Sequence, residues 1–148
     1  MKRLFYKSVL SKSFSGSNFK PSKKELIDNG DFSDSEVSWV PYLAGGSTFE
    51  VIDGIMSVTR TITGNTLGSA TQMIPLEVGE SYTLKADMLS ESATILLGSN
   101  VLGSDYGSIT STTGNIIKFI ATGLFVFISL VSSSATTALF DNISLTKD

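Results

Sequence analysis

From residue 25 onward, apolar and polar residues alternate with a period of two in short runs. Such alternation places every second side chain on the same face of a strand. No window sustains the 3.6-residue period of an amphipathic helix. The runs predict strands near 25–28, 37–42, 47–52, 55–62, 70–77, 82–89, 93–98, 106–112, 115–122, 124–131 and 138–146. The clearest run puts Tyr82, Leu84, Ala86 and Met88 on one face and Thr83, Lys85 and Asp87 on the other. That is the signature of a half-solvated antiparallel strand. The last run puts Leu139, Asp141, Ile143 and Leu145 on one face. A carboxylate on a core face must be hydrogen-bonded, paired or metal-bound. Asp141 is therefore expected to accept backbone N–H groups from the first strand and to latch the end of the domain to residues 25–32. The run 124–131 is apolar on both faces and too short to span a bilayer. It reads as a central strand with extra cover, or as an exposed face used for contact between subunits. Leu4, Phe5, Val9 and Leu10 are available as that cover.

Between the runs lie turn dipeptides. Asp53-Gly54 predicts a two-residue hairpin, because both residues tolerate positive φ. Gly79-Glu80 predicts a two-residue turn with Gly first. Many short strands at this spacing indicate a sandwich or barrel. The expected fold class is all-β, a two-sheet antiparallel β-sandwich of jelly-roll type.

Composition sharpens this picture. The chain has 148 residues, enough for one domain with a proper core, and 41% hydrophobic against 17% charged residues reads as globular. It contains no Cys and no His. Disulfides and thiolate metal sites are excluded, zinc loses its usual ligands, and Ser–His or Cys–His nucleophile pairs cannot form. Acidic residues such as Glu50, Asp53, Glu77, Glu80, Asp87 and Glu91 fall mostly on turns or solvated faces. They do not suggest the paired carboxylates of a glycosidase.

The net charge of −3 hides a split. Residues 1–24 hold seven bases and no acid, and residues 25–148 hold fourteen acids and four bases. Fully ionised, the two parts carry about +7 and about −10. The first 24 residues read as a basic N-terminal arm, with Lys2, Arg3, Phe5, Tyr6, Lys7 and Lys12 as its anchoring residues. No apolar run there is long enough for a signal peptide. A basic arm on an acidic body points to an anionic partner, here another protein surface or a second copy of the chain. Nucleic acid is the less favoured partner, because Lys–Ser runs are unspecific.

A resemblance adds to this. Leu26-Ile27-Asp28-Asn29-Gly30-Asp31-Phe32, then Trp39, then the Asp53-Gly54 turn are its first pieces. The segment 72–84 and the closing Phe140-Asp141-Asn142-Ile143-Ser144-Leu145 follow in order. The order resembles carbohydrate-binding modules of the family 4/9 type, galactose-binding-like jelly rolls that also occur in phage virion proteins. The resemblance implies a β-sandwich over 25–148, with Trp39 in the core and a structural calcium joining first and last strands. It would draw on Asp141, Asn29 and Asp31. Ser33 stands where the family carries a Glu ligand. It also implies sugar contact through exposed aromatics. Tyr42 and Tyr106 are the candidates, with Phe49 a further exposed aromatic and Asn100 and Asp105 as polar partners. Loop 98–107 is the expected contact loop.

The expected function is a non-enzymatic structural protein of a large assembly, most naturally a phage virion. The arm would anchor it on other virion proteins or on copies of itself. The alternative is a carbohydrate-binding module with a working glycan site. No resident cofactor is expected beyond that calcium.

Overall fold

In the computed structural model of the chain, residues 22–42, 47–61, 68–111 and 113–148 are described. The anchoring residues Lys2, Arg3, Phe5, Tyr6, Lys7 and Lys12 lie outside them. The described residues form strands joined by turns and loops, with no helix among them. The strands are β1 Val40–Tyr42, β2 Thr48–Ile52, β3 Ile55–Thr59, β4 Ser69–Pro75, β5 Ser81–Met88, β6 Ala93–Gly98, β7 Gly107–Thr110, β8 Ile116–Ile120, β9 Phe125–Ser132 and β10 Thr137–Lys147.

They make two five-stranded antiparallel sheets. Sheet one runs β2-β3-β10-β5-β8 and sheet two runs β1-β4-β9-β6-β7. Two of the connections stay within a sheet: β2–β3 and β6–β7 are adjacent pairs. The others carry the chain from one sheet to the other, which is what makes the sandwich a jelly roll. Asp53 and Gly54 both take positive φ, 51° and 77°, and close the β2–β3 hairpin as expected. Gly79 behaves differently from expectation. The turn closes by Glu80 N–H donating to the Glu77 carbonyl, so Gly79 is the second central residue, at φ 88°. A turn with a positive φ in that position bends the chain rather than pairing its arms. β4 accordingly passes into β5 in the opposite sheet.

The core lies between the sheets. Met56 and Val58 of β3, Leu84 of β5 and Phe140 and Leu145 of β10 face Ile95 and Leu97 of β6 and Ile128 and Leu130 of β9. Each such side chain, fully buried, contributes about 1.5–3 kcal/mol. Phe32 and Trp39 close one end, their ring centroids 5.6 Å apart. Trp39 is buried, as the resemblance implies, and its indole N–H donates to the Asn29 carbonyl.

Strand β10 departs from its predicted face. Ala138 and Phe140 point into the core, and so do Ile143 and Leu145. Even-numbered residues face inward before Asp141 and odd-numbered ones after it. The reason is a β-bulge: Asp141 lies opposite Asp87 but Ser144 opposite Lys85, so Asn142 and Ile143 together face Ala86. Asn142 takes φ 49°, and its amide donates to the Asp87 carboxylate. Leu139 and Asp141 are thereby only half-buried. Asp141 is no buried charge, and its carboxylate accepts the N–H of Asn142 beside it, not one from the first strand.

The latch itself is present, and Glu25 makes it. Its carboxylate accepts the N–H groups of Leu26, Ile27 and Leu145 and the hydroxyl of Ser144. Residue 25 pairs with Thr146 as a single bridge instead of a strand over 25–28. Leu26 N–H donates to the Leu145 carbonyl, and Ile143 N–H donates to Gly30. At Gly30 a Cβ would run into the Ile143 carbonyl, so only glycine lets the two segments approach this closely.

Candidate functional site

An apolar surface lies on the outer face of sheet two. Register fixes which side chains share it. Val40 and Tyr42 of β1 lie beside Thr71 and Ser69 of β4, and Met73 and Pro75 of β4 lie beside Phe127 and Phe125 of β9. Their neighbours in sequence, Ala70, Ile74, Val126 and Ile128, point into the core. The run 124–131 is thus apolar twice over, inward by Val126, Ile128 and Leu130 and outward by Phe125 and Phe127. Phe125 and Phe127 meet edge-on at 5.6 Å. Val40, Pro41, Tyr42, Met73, Val101 and Phe127, with Thr71, enclose a groove of about 210 Å³.

Beside the apolar walls runs a row of hydroxyls. Ser69 and Thr71 are hydrogen-bonded at 2.7 Å, and Thr71 donates to Ser129 at 3.3 Å. Ser129 also accepts the N–H of Leu102. These side chains are buried although they lie on an outer face. Leu102 belongs to the loop 99–106, and its bond to Ser129 draws that loop over β9.

The loop is shaped by two of the predicted contact residues. The Asp105 carboxylate accepts Ser99 N–H, which holds its pKa below the ordinary value. The Asn100 carbonyl accepts Gly103 N–H. The backbone of Gly103 sits where a side chain on Gly98 would go, so Gly98 permits the loop to fold flat on β6. Its product is Val101, which the loop presents as one wall of the groove.

Tyr106 has another task. Its hydroxyl accepts N–H bonds from Gly123 at 2.8 Å and Thr122 at 3.2 Å, and the Thr122 hydroxyl lies at 3.1 Å. Its ring packs on Phe119, 5.1 Å between centroids. Tyr106 therefore ties the end of the loop to the β8–β9 turn, and it does not line the groove. Of the four predicted glycan residues, Tyr42 is in the groove wall, Asn100 and Asp105 support a wall, and Tyr106 clamps the loop's end. Phe49 points toward the core from β2.

The residues implied for calcium do not assemble a donor set. Asn29 and Asp31 line a depression of about 360 Å³ with Glu25 and Asn142, and Asp141 is not part of its lining. The Asn29 amide donates to the Ser35 and Val37 carbonyls while its oxygen accepts Asp34 N–H. The Asp31 carboxylate accepts the hydroxyl and N–H of Ser33, which lower its pKa in that order. Glu25 is occupied by the latch. No cluster of three or more acidic side chains suited to a metal occurs among the described residues. Calcium wants six to eight oxygens, and Ser33, standing where the family has a ligand, instead satisfies Asp31.

Sequence reading missed Met73, Val101 and Phe127 as groove residues. The signal for Phe127 was the second apolar face of the run 124–131. What joined it to Tyr42 is the strand order β1-β4-β9, which brings together residues 85 positions apart in the chain.

No known protein-family profile matches the chain, and no curated protein is similar to it. Solved structures are similar. One is "CBM4 structure and function", at 20% identity and TM-score 0.59, covering 82% of this chain and 99% of that one. The module "BiXyn10A CBM1 APO" is 15% identical at TM-score 0.55, covering 75% and 90%. The enzymatically active domain of bacteriophage CBA120 tailspike protein 4 is 15% identical at TM-score 0.61; 84% of this chain corresponds to 21% of that one. The fold is therefore a jelly roll like that of carbohydrate-binding modules.

Proposed function

We propose that this chain is a non-enzymatic binding module that engages a glycan through the outer face of sheet two. The observation that carries the reading is the groove itself: Tyr42, Met73, Val101 and Phe127 converge on one sheet of a jelly roll similar to carbohydrate-binding modules. Sugar rings have apolar faces that stack on such platforms, and a binding site of this kind needs few polar groups. The Tyr42 phenol, half-exposed on the edge strand, is the polar group at the rim. Titration of soluble neutral polysaccharides by affinity electrophoresis and calorimetry tests this. Retardation of the parent chain, lost in Tyr42→Ala and in Phe127→Ala with unchanged melting, supports it. A flat response across glucans, xylans and mannans overturns it.

A second reading places the module on a virion, held by residues 1–24 to other virion proteins or to further copies of the chain. Its support is the likeness to part of a phage tailspike and the concentration of seven bases in an acid-free segment. Purified particles assembled with a chain lacking residues 1–24 test it: the truncated chain should be absent from them by mass spectrometry. Undiminished incorporation would refute the anchoring role.

A further inference from the structure

The outer face of sheet one carries a surface of opposite chemistry. Thr83 and Lys85 of β5 and Lys118 of β8 all point outward, with Thr83 beside Lys118 and Lys85 beside Ile116. The chain joins the body at this place. Lys23 Nζ donates to the Asp148 carboxylate at 2.8 Å, and Thr83 Oγ1 donates to the same oxygen at 2.7 Å. Lys23, Thr83, Lys85, Lys118, Thr146 and Asp148, with the exposed Ile116, surround a depression of about 400 Å³.

Two facts make this more than scattered lysines. All fourteen acids of the chain are among the described residues, and neither Lys85 nor Lys118 is paired with any of them. Lys147, by contrast, is neutralised by Glu77 and Glu80. The site also already holds an oxyanion from its own chain. The Asp148 carboxyl is kept below its ordinary pKa first by Lys23, then by Thr83, with Lys118 adding positive charge. The donor set is thus one that takes a carboxylate or phosphate oxygen.

We propose that this face is a second binding site, separate from the apolar groove, for the repeating carboxylate or phosphate groups of an acidic glycan. Lys85 and Lys118 are diagonal neighbours on adjacent strands, about 7–8 Å apart at the backbone. That matches charged groups carried by consecutive sugars. Asp148 acts as the internal stand-in that such a group displaces, releasing Lys23 to bind it. Six further bases in residues 1–24 adjoin the site in sequence. Thr83 and Thr146 supply hydroxyls suited to sugar. None of the seven residues framing the depression is aromatic, so it lacks the stacking platform that single-stranded nucleic acid uses.

The test uses the full chain with polygalacturonate, a phosphomannan, neutral dextran and a single-stranded DNA oligomer, in low and high salt. The acidic polymers should bind in low salt and release in high salt, whichever oxyanion they carry, and which of the two binds tighter identifies the source. Lys85→Ala with Lys118→Ala should weaken both about tenfold, as loss of two charge contacts predicts. Asp148→Asn should tighten them. Tyr42→Ala should leave them unchanged, so failure of the groove reading and failure of this one are separable. Equal binding by the double lysine variant, or no tightening by Asp148→Asn, would overturn the site. DNA binding as tight as the glycans, or a doubled mass in low salt without polymer, would assign the face to nucleic acid or to a second copy instead.

Discussion

The two outer faces of the sandwich share one core and obey the same alternation, yet they differ in kind. Outward residues of sheet one include Glu50, Ser57, Thr83, Lys85, Lys118, Ser144 and Thr146, with Ile52, Ile116 and Ile120 exposed among them. Outward residues of sheet two are Val40, Tyr42, Met73, Phe125 and Phe127 around a row of buried hydroxyls. Sheet one keeps a mixed exterior, in which lysines and hydroxyls separate the exposed isoleucines. Sheet two exposes an apolar exterior along β1, β4 and β9, the surface on which the proposed glycan site lies. Inward positions build the same core from both sheets, outward positions differ between them, and β9 carries apolar side chains on both of its sides.

Substitutions separate the two. The largest effect is expected at the shared core. Phe140→Ala should cost about 3–5 kcal/mol in urea unfolding, and Leu139→Ala next to it distinctly less. Equal costs would mean that the bulge at Asn142 does not set which side of β10 faces inward. The next effect is at the latch. Glu25→Ala strands the Leu145 and Ile27 N–H groups, takes one of two acceptors from Leu26 N–H and should cost about 1–3 kcal/mol. Asp141→Ala should stay within about 0.5 kcal/mol, and the reverse order would restore Asp141 as the latch. Tyr106→Phe removes an acceptor for the Thr122 and Gly123 N–H groups. A loss of about 1–2 kcal/mol is expected, with glycan affinity retained. Affinity lost without stability would move Tyr106 from clamp to contact.

The smallest effect concerns pH. Asp148 has a lowered pKa in the folded chain, from Lys23 first and Thr83 second. Its contribution is therefore complete above the ordinary carboxylate value and is lost as pH falls through the lowered one. The Lys23–Asp148 contact should persist at pH 4 and open only in stronger acid. Carboxyl chemical shifts of Asp148 followed by NMR check this, and a midpoint at or above the ordinary value of 3.8 would contradict it.

Much of the fold was legible because alternation is a local property. Tyr82, Leu84 and Ala86 are inward, and Thr83, Lys85 and Asp87 outward, as the pattern of β5 requires. The Asp53-Gly54 hairpin follows from the φ values those residues tolerate. β10 was misread at one point because a bulge inverts parity without changing composition. Asp141-Asn142 in mid-strand was the available hint, since Asn accepts positive φ more readily than most residues. The candidate site was legible only in pieces. Tyr42 was visible as an aromatic and β9 as a two-faced run, but Tyr106 looked equally like a contact residue.

The sequence by itself determined where the ten strands fall along the chain, the inward and outward sides of strands without a bulge, and the charge split at residue 24. These follow from spacing along one chain. Tertiary structure alone decided that Tyr42, Met73, Val101 and Phe127 share a groove, that Glu25 rather than Asp141 closes the sandwich, and that Lys23 shares a depression with Lys85 and Lys118. Each of these depends on strand order or on a single shift of register. A period of two is the same for every pairing, so it says which side a residue takes but not which strand lies beside it.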